Sequence, residues 1–325
     1  MSDLTTLPDF DSLPGPSSGG LDGCAWGLFD RNGQTDQLGT LNLLTQEKVL
    51  DAAKREILCG QTVSLNWGLE NPQYSGFKRM RLHHRIIDLS PSEVYASDDE
   101  LSFCPQHGSH WDTPLHFAHQ KSKKYYNGLS HQEFHLQNAL HQGTRLWNDR
   151  GGICGRGILL DWASWAKEKN LPCHPIGRDE ITVSQLEEVA KWQKTTFMPG
   201  DILLIRTGFI AWSTTATDDE KKRGSLEGTE YLGIEATRES CRWHWNHHFS
   251  AVVSDNVTYE VWPPRDVVLH EYFLAMWGMP VGKLWDMEKL AEVCRSLQRW
   301  SFFLTSAPLN VASGIGSPAN AIALF

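Results

Sequence analysis

The chain has 325 residues, 40% of them hydrophobic and 21% charged, and a formal net charge of −9. This balance suits a soluble globular protein with a large core, and the acidic excess argues against a nucleic-acid or anionic-membrane surface. No stretch of about 18 apolar residues and no basic start leading into an apolar segment occurs, so neither a membrane span nor a secretory leader is expected. The seven cysteines are scattered and form no CxxC pair, the pattern of reduced thiols in a cytoplasmic protein. Fourteen tryptophans serve either core and interface packing or a pocket for a flat aromatic ligand.

Residues 1–20 contain LPGPSSGG and read as a flexible or loosely draped arm, with a single catalytic domain over 21–325. Thr45 opens an apolar-periodic helix to about residue 57. Strands are expected over 61–67 and 81–89, and EVYASDDELSFC leads through a polar turn into a further strand. His83 and His84 face opposite sides of their strand, so one of them could reach a site.

The stretch 106–119, QHGSHWDTPLHFAH, concentrates histidine around one carboxylate. Imidazole and carboxylate are what a divalent transition metal takes from a protein. If 106–112 is extended, Gln106, Gly108, His110 and Asp112 point one way and His107 the other. Gly108 then leaves room for an ion or substrate between Gln106 and His110, and Pro114 re-aims the chain to bring His116 near the site. His119 lies one helical turn beyond His116, in reach as a supporting partner.

Further along, GGICGRGILLDW is rich in glycine, but its glycines precede the strand, the wrong order for a phosphate cradle. Residues 181–193 carry a helical pattern opened by Ser184 with Glu187 three residues on. Residues 199–208 read as a buried strand between turns, with structural duty for Asp201 and Arg206. A helix over 231–248 puts His244, His247 and His248 on one face, more in the manner of packing than of a metal site. FSAVVSDN is the next strand, VTYEVWPP leaves it as a loop, and 302–325 holds two strand-like runs around a Gly-Ser-Pro loop.

GSHWDTPLHF resembles the GTHxDxPxH signature of the metal-dependent cyclase family, which includes kynurenine formamidases and isatin hydrolases. The resemblance extends over roughly 24–325 through WGLFDRNGQTDQLGTLNLLT, PGDILLIRTG and the C-terminal segment. It implies an α/β, swivelling β/β/α fold, an assembly of two or four copies, and a zinc or manganese ion. By position it implies His110, Asp112 and His270 as metal ligands and His116, with Asp112, as the catalytic acid/base. Gln106 stands where the family has its first histidine, and Lys283 where it has a glutamate, so at most one weakly held ion is expected.

Two functions follow from the resemblance. One is hydrolysis of an amide, formamide or lactam in a small aromatic compound by a metal-activated water. The other is a metal-independent cyclase, dehydratase or isomerase of a small-molecule biosynthetic pathway, using the same pocket by acid/base catalysis. Substrate contacts are expected from Gln106, Trp111, Tyr125, Tyr126, Trp262 and Lys283.

Overall fold

The computed structural model describes residues 7–136, 143–171 and 173–325. In chain order the strands are β1 Thr62–Ser64, β2 His83–Asp88, β3 Ser97–Ser102, β4 His110–Asp112, β5 Ile153–Leu160, β6 Glu180–Ile181 and β7 Ile202–Ile205. They continue with β8 Gly233–Ile234, β9 Ala251–Ser254, β10 Val281–Lys283, β11 Ser301–Ser306, β12 Gly316–Pro318 and β13 Ala321–Leu324. Among the described residues, nine of these form one sheet in the order β1-β13-β11-β5-β7-β9-β10-β4-β12. β5, β7, β9 and β10 run parallel, and the helices Val183–Gln193 and Arg238–Asn246 lie in the connections that parallel neighbours require.

Connectivity forces this sheet to curl. β12 is one edge, β13 lies beside the opposite edge, and only Ala319 and Asn320 join them. Three Cα steps of about 3.8 Å cannot cross a flat sheet whose strands are about 4.8 Å apart. The rims therefore meet, and Ser109 ties them: its Oγ accepts from Trp67 N at 2.8 Å and its carbonyl from Ala319 N at 3.3 Å.

Alternation along the strands sorts apolar side chains into two cores. Ile202, Leu204, Ala251 and Val253 join Trp111, Trp285 and Val63 in one cluster. Val63 and Trp111 come from far-apart strands, so this cluster fills the concave side. Leu203, Ile205, Val252 and Val281 pack on the other side against the helices. No helix among the described residues is long and apolar enough to cross a membrane.

Several expectations need correction. Residues 7–20 are not a loose arm: Phe10 is fully buried against Tyr272 and Trp277, and Pro8 O accepts from Trp245 Nε1 at 2.7 Å. One aromatic wedge orders a segment whose composition otherwise favours disorder. Residues 1–6 lie outside the described residues. SDDELS is no turn but β3, pairing antiparallel with β2 as an exposed hairpin. Neither His83 nor His84 reaches a site from there; His84 pairs with Asp99 at 3.0 Å. The 183–193 helix is capped by Thr182 with Gln185 in a capping box, because Ser184 already lies inside the first turn. The helix expected over 231–248 is confined to Arg238–Asn246, capped by Thr237.

Candidate active site

Antiparallel pairing of β4 with β10 sets Lys283 opposite His110 and Val281 opposite Asp112. With a side-chain period of two, His110, Asp112 and Lys283 share the helix-side face, while Trp111 turns into the concave core. Lys283 Nζ lies 2.7 Å from Asp112 Oδ2, with both side chains buried. Gln106, in the turn before β4, donates its amide Nε2 to Asp112 Oδ1 and lies 3.0 Å from His116 Nδ1. It crosses the strand edge above Gly316, where a Cβ would come within 2.5 Å of its Cγ. His116 Nε2 and His110 Nε2 each lie 3.7 Å from Asp112 Oδ1. His110 donates Nδ1–H to Gly108 O at 2.6 Å, leaving its Nε2 as a buried lone pair with no hydrogen-bond partner among the described residues.

A second buried layer supports the first. His270 donates Nδ1–H to Glu260 Oε2 at 2.5 Å, and its Nε2 lies 3.4 Å from Lys283 Nζ. Arg79 reaches in from the foot of the β2–β3 hairpin and donates to the Gln106 carbonyl at 2.6 Å. Phe117 packs edge-on against His270 at 5.9 Å and near His116 at 6.4 Å. Solvent meets this cluster at Gln106, His116 and Arg79, which are part-exposed, whereas Asp112 and Lys283 are not.

The charges follow from this packing. Burial penalises the Asp112 carboxylate, but His116, Lys283, His110 and Arg79 outweigh it and hold the group well below the usual carboxylate range. Burial draws the Lys283 ammonium below the ordinary lysine value, and Asp112 opposes that pull. At 2.7 Å the contact is an ion pair. Burial, joined by the positive charge of Lys283 and Arg79, lowers His116 to about 3 against the opposing Asp112. Burial likewise takes His110 well below its ordinary value. Both imidazoles are therefore neutral near pH 7.

The donor set tests the implied metal ion. Of the carboxylate at its centre, one oxygen faces an ammonium and the other an amide N–H. Turning the amide to present its oxygen to a cation would set that oxygen against Asp112. Both ring nitrogens of His270 are engaged, and no group of three or more His, Cys, Asp or Glu among the described residues could hold a metal ion. These residues do not fit a divalent ion, because Lys283 already supplies the positive charge. His110, Asp112, His270 and Gln106, the ligand set that the resemblance implies, are thus gathered around Lys283.

Other candidates lie elsewhere. Trp111 is fully buried, edge-on to Trp285 at 4.7 Å, and lines no site. Tyr125 hydrogen-bonds His131 at 2.8 Å and Tyr126 donates to Asp36 at 3.0 Å, so both are spent on packing the loop that follows the site. Trp262 packs in a third cluster with Tyr231 and Leu284. His119 is turned away to Ser122. His244 is buried between Ser240 O and Tyr259 OH, a packing histidine. Asp201 pairs with Arg156, and Arg206 with Asp161 and Glu288. Three site residues went unnoticed in the sequence: Arg79, Phe117 and Glu260. Glu260 left one signal, a lone carboxylate within the apolar run VTYEVW, which burial obliges to find a partner.

A curled mixed sheet carrying a His–Asp cluster on a short strand defines the class: a cyclase-type α/β fold. The chain belongs to the Cyclase family, described as "Putative cyclase", whose model matches residues 42–261. Its fold is similar to the crystal structure of a novel cyclase, 27% identical, with a TM-score of 0.80 over 93% of this chain and 99% of that one. It also resembles isatin hydrolase A from Ralstonia solanacearum, 15% identical, TM-score 0.56, over 86% of this chain and 97% of that one. An isatin hydrolase bound to the product analogue thioisatinate is 14% identical, TM-score 0.57, over 86% and 99%. Among curated proteins none matches the sequence.

Proposed function

We propose that this cyclase-family chain is an enzyme of metal-independent acid/base chemistry on a small aromatic carbonyl compound: a cyclase, dehydratase or isomerase. The observation that carries the reading is the buried Lys283–Asp112 ion pair at 2.7 Å. It supplies a fixed positive charge from the chain itself, which favours the metal-independent reading over the hydrolytic one.

The substrate carbonyl oxygen takes hydrogen bonds from the Lys283 ammonium and the Gln106 amide. Fixed donors in a water-poor site stabilise negative charge as it develops there. His116 is the base. Its Nε2–H faces Asp112, so Nδ1 is the reacting nitrogen once the substrate displaces the Gln106 contact. Nδ1 removes a proton from the carbon beside the carbonyl, and the electron pair moves onto the carbonyl oxygen. Asp112 remains ionised and stabilises the imidazolium, which returns the proton to carbon in an isomerisation, to the hydroxyl that leaves as water in a dehydration, or to the oxygen of a second carbonyl that the enolate carbon attacks in a cyclisation. Phe117 offers an aromatic flank for the ring.

The test is turnover of a panel of aromatic lactams, formamides and cyclisable aromatic ketones, with and without EDTA. The reading requires a panel member whose turnover EDTA leaves unchanged. In His116→Ala it should fall by about 10²- to 10⁴-fold, the usual worth of a positioned acid or base. Turnover abolished by EDTA and restored by zinc or manganese overturns the proposal.

A further inference from the structure

We infer that Glu260 is a positioning residue for Lys283, acting through His270. The inference rests on the reading of Lys283 as the fixed cation of the site.

Glu260 is fully buried, two hydrogen-bond contacts from Lys283 and on a different segment. Its Oε1 accepts from the His270 backbone N–H at 3.2 Å and its Oε2 from the ring Nδ1–H at 2.5 Å. One carboxylate thereby fixes both where His270 sits and which nitrogen carries the proton. A histidine whose Nδ1–H is donated presents Nε2 as a lone pair. That lone pair faces Lys283 Nζ at 3.4 Å.

Lys283 consequently lies between its ion-pair partner Asp112 Oδ2 and the acceptor His270 Nε2. An ammonium has three N–H groups on a flexible stem. The ion pair and the acceptor, both at fixed positions, restrict its rotation and leave an N–H for a substrate oxygen. Were Glu260 neutral, the imidazole could adopt the other tautomer and turn an N–H towards the ammonium. Two donors would then oppose each other, and the lysine would lose its direction.

Local backbone supports the arrangement. His270 opens the π-helical segment Glu271–Met276, and π-turns are frequent at functional sites. Glu271 Oε1 accepts from Gln120 N at 2.8 Å, tying this turn to the segment that carries His116 and Phe117. A purely structural role fits poorly. Filling this space with apolar side chains would avoid desolvating a buried carboxylate.

The experiment is proton–nitrogen correlation NMR on the full metal-free chain, with ¹⁵N-histidine and ¹⁵N-lysine labelling. Lys283 is assigned by the signal missing in Lys283→Met. We expect His270 as the Nδ1–H tautomer and a slowly exchanging Lys283 ammonium cross-peak. Glu260→Gln should lose that cross-peak, and Glu260→Asp should restore it in part. Should Glu260→Gln fail to fold, His270→Phe removes the same lone pair and should lose the same cross-peak. An Nε2–H tautomer in the native chain, an absent Lys283 signal, or a signal unmoved by these variants overturns the inference. EDTA-sensitive turnover would instead sink the proposed function and leave the NMR result standing.

Discussion

Replacing Lys283 with Met probes the pairing at the centre of the site. The two side chains are 4% and 0% exposed, so solvent does not screen them. An exposed ion pair is worth about 0–1 kcal/mol, whereas removing one partner of a buried pair costs about 3–5 kcal/mol, because a charge is left without compensation. Gln106 still donates to the other Asp112 oxygen, which places the expected loss near the lower end, about 3 kcal/mol. The penalty arises from the orphaned carboxylate, so Asp112→Asn should relieve it. The double variant Asp112→Asn/Lys283→Met should be more stable than Lys283→Met alone. Urea unfolding at pH 7, followed by far-UV circular dichroism, measures all four corners of the cycle. A loss under about 1 kcal/mol in Lys283→Met, or strict additivity in the double variant, would refute the buried-pair reasoning.

Burial and nearby cations hold His116 near 3, and a base works only when deprotonated, so its rate falls as pH drops through that value. The kcat/KM profile of a panel substrate should show no acid limb near 6.5, where an ordinary imidazole titrates; a limb at that position contradicts the assignment. Trp111→Phe should leave KM unchanged while lowering stability, since Trp111 packs in the concave core; a KM effect without a stability loss would return it to the substrate wall. We expect a homodimer or homotetramer, because the β2–β3 hairpin exposes Ile86 and Leu101 on one face with Val94 and Tyr95 at its turn. Light scattering that gives the 36.8 kDa mass of one chain at micromolar concentration contradicts it.

Much of the sheet was legible in the sequence because its central strands are short apolar runs bounded by turns, as in ILLI of β7 and AVVS of β9. The motif around Asp112 was equally visible, since its members lie within eleven residues of one another. What escaped reading was non-local. That Lys283 meets Asp112 depends on the β10–β4 register between segments about 170 residues apart in the chain. Nor did local alternation foresee Gln106 correctly: it was expected to lie in a strand, yet it reaches Asp112 from a turn. β3 shows no apolar period, because both of its faces meet solvent. Residue type alone points Trp111 to a pocket, whereas the pleat turns it into the core. Glu260 lies in a loop, and its partner His270 comes from a later segment.

On the proposed function, Lys283 stands in place of a metal ion. Elemental analysis after dialysis against zinc and manganese, then against metal-free buffer, tests it without any substrate. The native chain should retain well under one ion per chain, and Lys283→Met should retain more than the native chain. One or two ions held by the native chain through dialysis would contradict the account.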